Sequence, residues 1–312
     1  MKEFIFSPEV KTALKNDQPV VALESTLITH GLPYPENIEI AQALENEVIQ
    51  QGAVPATIAF IDGKIHIGLT EAQLEALAQS GQTARKISRK DFAIAIARKE
   101  TGGTTVTGTL IAANYAGIKV FATGGIGGVH REAPFDISAD LNELSKTPLI
   151  VVCAGAKAIL DLPATVEYLE TVGVPILGYQ TDEFPAFYAR NSGLPVTQAV
   201  DSPQEVVDIA NTQWNFGLQS SILVTAPPPA EYAVKFEEIE PIINEAVQEA
   251  KHQNIAGPKV TPFLLQKVSE LSKGKSMHAN LALLRNNAMI AGKISVSLQK
   301  NKRKNSEHLK QI

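Results

Sequence analysis

Cysteine is almost missing from this chain: Cys153 stands alone in 312 residues. One thiol excludes an internal disulfide, leaves the fold to rest on its apolar core, and suits a reducing compartment. Positive charge is also not in excess, with 28 Lys and Arg against 33 Asp and Glu for a formal net of −5. That balance argues against a general binder of nucleic acid or of an anionic membrane surface, so any anionic small molecule must be met by a few local cations. No apolar run approaches the roughly 20 residues of a membrane span, and the opening MKEFIFSPEVKTALKNDQ lacks a charged segment leading into an apolar signal core. A cytoplasmic location is therefore expected. Internal repeats and a linker between domains are absent as well. The expectation is one domain over residues 1–295, followed by a basic, flexible tail over 296–312 that ends QKNKRKNSEHLKQI.

What is present is ample apolar material, 44% hydrophobic against 20% charged residues, arranged in short runs. PVVAL (19–23), IKVFA (118–122), LIVVC (149–153), VPILG (174–178) and SSILVT (220–225) have the length and β-branching of buried strands, with helical periodicity between them. One example is the stretch from Asn37, a candidate cap, to Gly52, where Ile38, Ala41, Leu44 and Val48 recur at helical spacing. ATIAFIDGKIHIGL alternates around Asp62-Gly63 and predicts a hairpin, hence at least one antiparallel pair. Strands alternating with helices plus one hairpin predict an α/β protein, a three-layer α/β/α sandwich with a central mixed sheet. Toward the C-terminus, GPKVTPFLLQKVSELSKGKSMHANLALLRNNAMIAGKIS reads as a helix pair opened by Pro258 and Pro262, with Asn280, Asn286 and Asn287 on its last helix. Asparagine is at best neutral inside a helix, so some of these three are expected to be aimed at something.

In open α/β sheets ligands gather beyond the carboxyl ends of the strands, and there this sequence places its polar residues. LIVVC runs through Ala154, Gly155 and Ala156 to Lys157, an amine among small and apolar neighbours. Such surroundings disfavour the ammonium form and make a lysine nucleophilic, although a lysine at a strand end also fits simple snorkelling to water. Glu24 ends the PVVAL strand in the same manner, a polar residue placed where a buried strand runs out, or else an ordinary hydrogen-bonded loop carboxylate. Arg85, Lys86, Arg89, Lys90, Arg98 and Lys99 form a basic patch that reads as a solvated face or as part of a phosphate site. After it, TGGTTVTGT offers backbone and hydroxyl donors at a helix start, which suits an anion but lacks the Gly-Lys-Ser/Thr ending of a Walker A loop. TGGIGGVHR does not complete G-x-G-x-x-G. Asp136 and Asp140, with Ser138 between them, suit a hard divalent cation such as Mg2+ or Mn2+; Asp140 with Glu143 equally suits a helix cap.

The ordered motifs ALESTLITHGLPYPEN, GGTTV, FATGGIGGVHR, FDISADL, CAGAKAILDLPAT, PFLL and HANLALLRNNA resemble, up to about residue 292, the pseudouridine-5′-phosphate glycosidases, also called the indigoidine synthase A family. The resemblance implies reversible cleavage of pseudouridine 5′-phosphate to uracil and ribose 5-phosphate, one Mn2+ per subunit with Mg2+ or another divalent ion as the alternative, and a homotrimer. It implies Lys157 as the covalent nucleophile, Glu24 as the proton donor and Asp136 as the metal ligand. Lys86, Val106, Ser138, Ala139, Asp140, Asn280 and His130 are the implied substrate contacts. An ordinary glycosidase protonates an oxygen leaving group, which a carbon–carbon glycoside does not have, so a lysine that holds C1′ of an opened ribose as an iminium meets the chemical need. Two other readings use the same residues: a Schiff-base aldolase or lyase on another phosphosugar, and a non-catalytic sugar-phosphate binder.

Overall fold

VVAL, VFA, IVVC and ILVT become central strands because every residue in them is apolar or small and every one is buried, as two-sided cover by helices requires. The computed structural model describes residues 2–131, 133–253, 255 and 260–309. Its strands are β1 (Phe4–Phe6), β2 (Val20–Leu23), β3 (Val54–Ile61), β4 (Lys64–Ile67), β5 (Arg85–Ile87), β6 (Gly102–Thr104), β7 (Val120–Ala122), β8 (Val129–His130), β9 (Ala133–Ile137), β10 (Ile150–Cys153), β11 (Leu160–Asp161), β12 (Ile176–Tyr179), β13 (Gln198–Val200) and β14 (Ile222–Thr225). Its α-helices are α1 (Pro8–Lys15), α2 (Glu36–Gln50), α3 (Glu71–Ser80), α4 (Phe92–Ala97), α5 (Val106–Ala116), α6 (Ala139–Leu144), α7 (Leu162–Thr171), α8 (Pro203–Asn215), α9 (Phe236–His252), α10 (Val260–Leu271) and α11 (Lys275–Leu309).

The main sheet runs β1-β4-β3-β2-β7-β10-β14-β12-β13, with β6 also on β3 and β5 on β6. Its centre, from β3 through β13, is parallel, and the β3–β4 and β3–β6 pairs are antiparallel. The α/β/α sandwich with a mixed sheet is thus as expected. The hairpin turns at Asp62 and Gly63, both at positive φ, as a two-residue loop of this kind requires. A second sheet, β11-β8-β9, stands apart; β8 and β11, of two residues each, carry no periodicity, and the sheet has no counterpart in the sequence reading.

Helix α11 is the spine of one face. It packs on β2, β7 and β10 and between α2 and α8, with Leu283, Leu284, Ala288, Ala291 and Ile294 buried; each large apolar side chain so buried contributes about 1.5–3 kcal/mol. Helix α5 packs on β2, β3 and β4. Among the described residues no helix is long and apolar enough to cross a membrane.

Three expectations shift. Asn37 does not cap α2: the cap position is Pro35, and the buried Asn37 amide instead donates to the carbonyls of Ile28 (2.7 Å) and Ala78 (2.9 Å). The unit expected to close at 295 has no break there, because α11 continues and buries Leu298 and Gln299. Ser297 and Asn301, in the stretch expected to be tail, donate to Gln204 (3.0 Å) and Asp208 (3.2 Å) on α8. The helix pair is present as α10 and α11, but Pro258 lies outside the described residues.

Candidate active site

Register brings the first two groups together. Leu23 of β2 pairs with Ala122 of β7, so Glu24 and Thr123, the next residue on each, emerge side by side at the carboxyl edge; neighbouring strands lie about 4.8 Å apart. The Thr123 hydroxyl donates a short hydrogen bond to Oε1 of Glu24. Leu23, Leu27, Ala122 and Leu284 wall the small cavity at this point. Loss of water raises the Glu24 carboxyl above the usual carboxylate range; Lys157, the Thr123 hydroxyl and Lys86 counter the rise, and the charge of Asp140 adds to it.

Lys157 follows β10 through a turn that needs glycine. Gly155 sits at φ +86, and a Cβ there would lie 2.3 Å from the Pro185 carbonyl oxygen. Beyond the turn the chain runs beside the loop that leaves β7: Lys157 N donates to the Ile126 carbonyl at 3.0 Å. The lysine is half-buried. Arg131 fastens the residues after it, donating to the carbonyls of Ala158 (3.0 Å) and Leu160 (3.2 Å) while its fork pairs with both oxygens of Glu240.

Within the basic patch the side chains divide. Arg85 is held by Asp91 and Glu100 and Arg89 by Glu143, while Lys86, on β5 between them, is half-buried and within reach of the charges of Lys157, Asp140 and Glu24. Burial and the neighbouring charge of Lys157 hold Lys86 below the usual lysine range, against the pull of Asp140 and Glu24. Glu24, Lys86, Asp140 and Lys157 therefore feel one another's charge in one place.

The two aspartates part company. Asp140 is buried in the first turn of α6. Its Oδ1 accepts from the backbone N (3.0 Å) and hydroxyl (2.6 Å) of Thr107, and its Oδ2 from Gly127 N at 2.9 Å. It thus ties the threonine-rich loop to the glycine loop. Gly127 can only be glycine, since a Cβ would stand 2.1 Å from the Ser138 hydroxyl. Ser138 is the cap of α6, accepting from Asp140 N at 3.2 Å; the capping function considered for Asp140 is its neighbour's. Glu143, its supposed partner, turns instead to Arg89. Asp136 is exposed on β9. Among the described residues no group of three or more His, Cys, Asp or Glu is placed to hold a metal ion, so any ion there would rest on this carboxylate and on water, as Mg2+ and Mn2+ tolerate.

Val106 is buried at the first position of α5, behind the Thr105 cap. Ala139 is exposed at the start of α6. His130 is half-buried opposite Leu160 in the small sheet. Asn280 is buried on α11, two turns before Asn287 and on the same face. Cys153 is fully buried and its thiol is pushed up to about 12 by loss of solvent, which makes it a packing residue. Nothing local in the sequence marks Thr123 or Arg131 by its partners, and of the three suspected asparagines it does not say that Asn287 is the one that reaches Thr123. His30 was passed over too. It sits on a π-helical turn, Leu27–Gly31, directly after Glu24, with Thr29 Oγ1 2.7 Å from its Nδ1. Burial and the charge of Lys86 lower its pKa, and π turns recur at functional sites.

Comparison with known proteins gives a consistent result. Residues 9–297 match the family model described as indigoidine synthase A like protein. A pseudouridine-5′-phosphate glycosidase of Caldanaerobacter subterraneus subsp. tengcongensis is 54% identical over 303 residues, covering 96% of this chain and 98% of that protein. The enzyme of the same name from Staphylococcus aureus is 54% identical over 297 residues, covering 95% and 96%. Among solved structures, the prealnumycin C-glycosynthase AlnA in complex with ribulose 5-phosphate superimposes with a TM-score of 0.90 at 40% identity, over 97% of this chain and 99% of that one. An indigoidine synthase A-like protein from Thermotoga maritima gives 0.87 at 36%, over 95% and 96%. On the ordered motifs, the sandwich fold and these matches, the chain belongs to the indigoidine synthase A-like family.

Proposed function

We propose that this protein is a pseudouridine-5′-phosphate glycosidase, reversibly cleaving the carbon–carbon glycosidic bond to give uracil and ribose 5-phosphate. The observation that carries this reading is the electrostatic cluster of Glu24, Lys86, Asp140 and Lys157 at one edge of the sheet. A two-carboxylate glycosidase is a poor description of it. Asp140 has its oxygens committed to Thr107 and Gly127, which leaves Glu24 as the one carboxyl of the cluster free for acid–base work and an amine as the nucleophile. The names of the relatives and the sugar-phosphate complex of AlnA support the same substrate class.

The steps follow from what each group can do. Glu24, whose burial raises its pKa and so favours the protonated form, protonates the ribose ring oxygen as its bond to C1′ breaks. The Lys157 amine bonds to C1′, and the ammonium so formed returns a proton to the Glu24 carboxylate. Uracil then leaves with the electron pair of the C1′–C5 bond and takes that proton at C5, while the freed nitrogen lone pair closes the C1′ iminium. Water adds to the iminium and releases open-chain ribose 5-phosphate with the amine restored. Lys86, Val106, Ser138, Ala139, Asp140, Asn280 and His130 are the substrate-contacting set in this reading, with Lys86 supplying a positive charge within electrostatic reach of Lys157. Asp136 would hold a Mn2+ or Mg2+ ion, which supplies charge against the phosphate or the uracil oxygens when bound; its exposure leaves room for the waters such an ion keeps. Assembly as a homotrimer belongs to the same reading, and light scattering on purified protein tests it.

The test of function is synthesis in reverse. Protein incubated with ribose 5-phosphate, uracil and Mn2+ is expected to change the uracil absorbance and yield pseudouridine 5′-phosphate; an unchanged spectrum would overturn the glycosidase. A Schiff-base lyase on another phosphosugar would instead form the lysine adduct with no response to uracil.

A further inference from the structure

Asn287 is out of place in the middle of α11. It is fully buried, its helix neighbours Leu283, Leu284, Ala288, Ile290 and Ala291 are all apolar and buried, and its Oδ1 has no hydrogen-bond partner. A leucine would fill similar space without burying an unmatched acceptor, so the amide must be kept for what its other end does. That end reaches out of the helix layer into the sheet edge. Nδ2 donates to the Thr123 carbonyl at 2.9 Å and leans toward the Gly124 carbonyl at 3.4 Å.

Thr123 is thereby fixed at three points. Its N–H donates to the Val152 carbonyl at 3.0 Å, its carbonyl accepts from Asn287, and its hydroxyl donates to Oε1 of Glu24. The middle contact is the one that comes from outside the sheet. Without it the chain leaving β7 enters its glycine run, Gly124 and Gly125, with one fewer restraint and no side chains to replace it.

We propose that Asn287 is a positioning residue for the Glu24 acid–base group, acting through Thr123. The assignment rests on the glycosidase reading above. The charged groups acting on Glu24 are Lys157, Lys86 and Asp140; none of them is altered by a change at Asn287, which leaves the Thr123 contact as the variable.

The test compares Asn287→Leu, Asn287→Ser, Thr123→Val and the Asn287→Leu/Thr123→Val double variant with wild type, measuring kcat and KM for pseudouridine 5′-phosphate cleavage across pH, with thermal unfolding alongside. Thr123→Val is expected to lower kcat by about tenfold or more with KM within about twofold, because a misplaced group costs rate more than binding. It also moves the Glu24 limb of the pH–rate profile upward, since the lost hydrogen bond favoured the carboxylate. Asn287→Leu is expected to do the same in both respects, and the double variant to be no worse than Thr123→Val alone. Asn287→Ser, which keeps a small polar group, reports the same shift if the leucine variant fails to fold. Losses that multiply in the double variant, or Asn287 variants with a wild-type kcat and pH profile, would overturn the assignment alone. A wild type with no turnover would overturn the glycosidase reading and the assignment with it.

Discussion

Arg131 and Glu240 form a forked ion pair, at 2.6 and 3.0 Å, that straps the loop of Lys157 to helix α9. The remaining donors of the guanidinium go to the Ala158 and Leu160 carbonyls and to Asn244, so every N–H of Arg131 is used. Lysine keeps the charge and loses the fork. Arg131→Lys is expected to lower kcat by about ten- to a hundredfold, through misplacement of the Lys157 turn rather than loss of charge. Steady-state kinetics on the folded variant check this, and an unchanged kcat would show that the strap serves stability alone.

Glu24 offers a prediction with opposite signs for activity and stability. Its folded pKa is raised, so the folded state holds this proton more tightly than the unfolded chain does. The associated stability is full below the ordinary carboxylate range and is lost as pH rises through the folded pKa. Glu24→Gln removes the titration. The variant is expected to lose about 10²–10⁴ in kcat while melting higher than wild type at neutral pH, an advantage that shrinks near pH 4. Calorimetry at two pH values reads it, and a variant less stable than wild type at pH 7 would contradict the burial argument.

Asp140 is expected to matter for folding before it matters for binding. Its two oxygens accept from Thr107 N, Thr107 Oγ1 and Gly127 N, and an asparagine there must turn an NH2 group toward one of these donors. An unmatched buried donor costs about 1–3 kcal/mol, so Asp140→Asn should lose about that much unfolding free energy and show a lower urea midpoint. A midpoint equal to wild type would mean that the two loops are held by something else.

Asp136, by contrast, is exposed on its strand. Asp136→Asn is expected to leave stability within about 0.5 kcal/mol while removing the response of activity to Mn2+ after treatment with a chelator. Wild-type activity that survives chelation unchanged would remove the ion from the account.

Much of this arrangement was legible in the residues. VVAL, IVVC and ILVT declare themselves as two-sided buried strands, Asp62-Gly63 declares a hairpin, and Glu24 and Lys157 stand out because each is a polar residue where an apolar run ends. What was not legible depends on register and on distant partners. Thr123 is an ordinary threonine until Leu23 pairs with Ala122 and sets it beside Glu24. Asn37 has the composition of a cap and is used to bridge two carbonyls. Asp136 and Asp140 are four apart in sequence, yet a strand end and a helix start between them send one to solvent and one inward. The three asparagines of α11 were rightly suspected, since Asn287 reaches Thr123 and Asn286 reaches the Pro227 carbonyl at 3.4 Å, but their targets lie on other elements and leave no local trace.

The central claim is that the Lys157 amine bonds to C1′ of the sugar. Protein incubated with ribose 5-phosphate is treated with borohydride, digested, and its peptides weighed. The account predicts one reduced sugar adduct, on the peptide that carries Lys157, absent from Lys157→Ala protein that retains its melting temperature. An adduct on Lys86 instead, or no adduct from an enzyme that turns over, would contradict it.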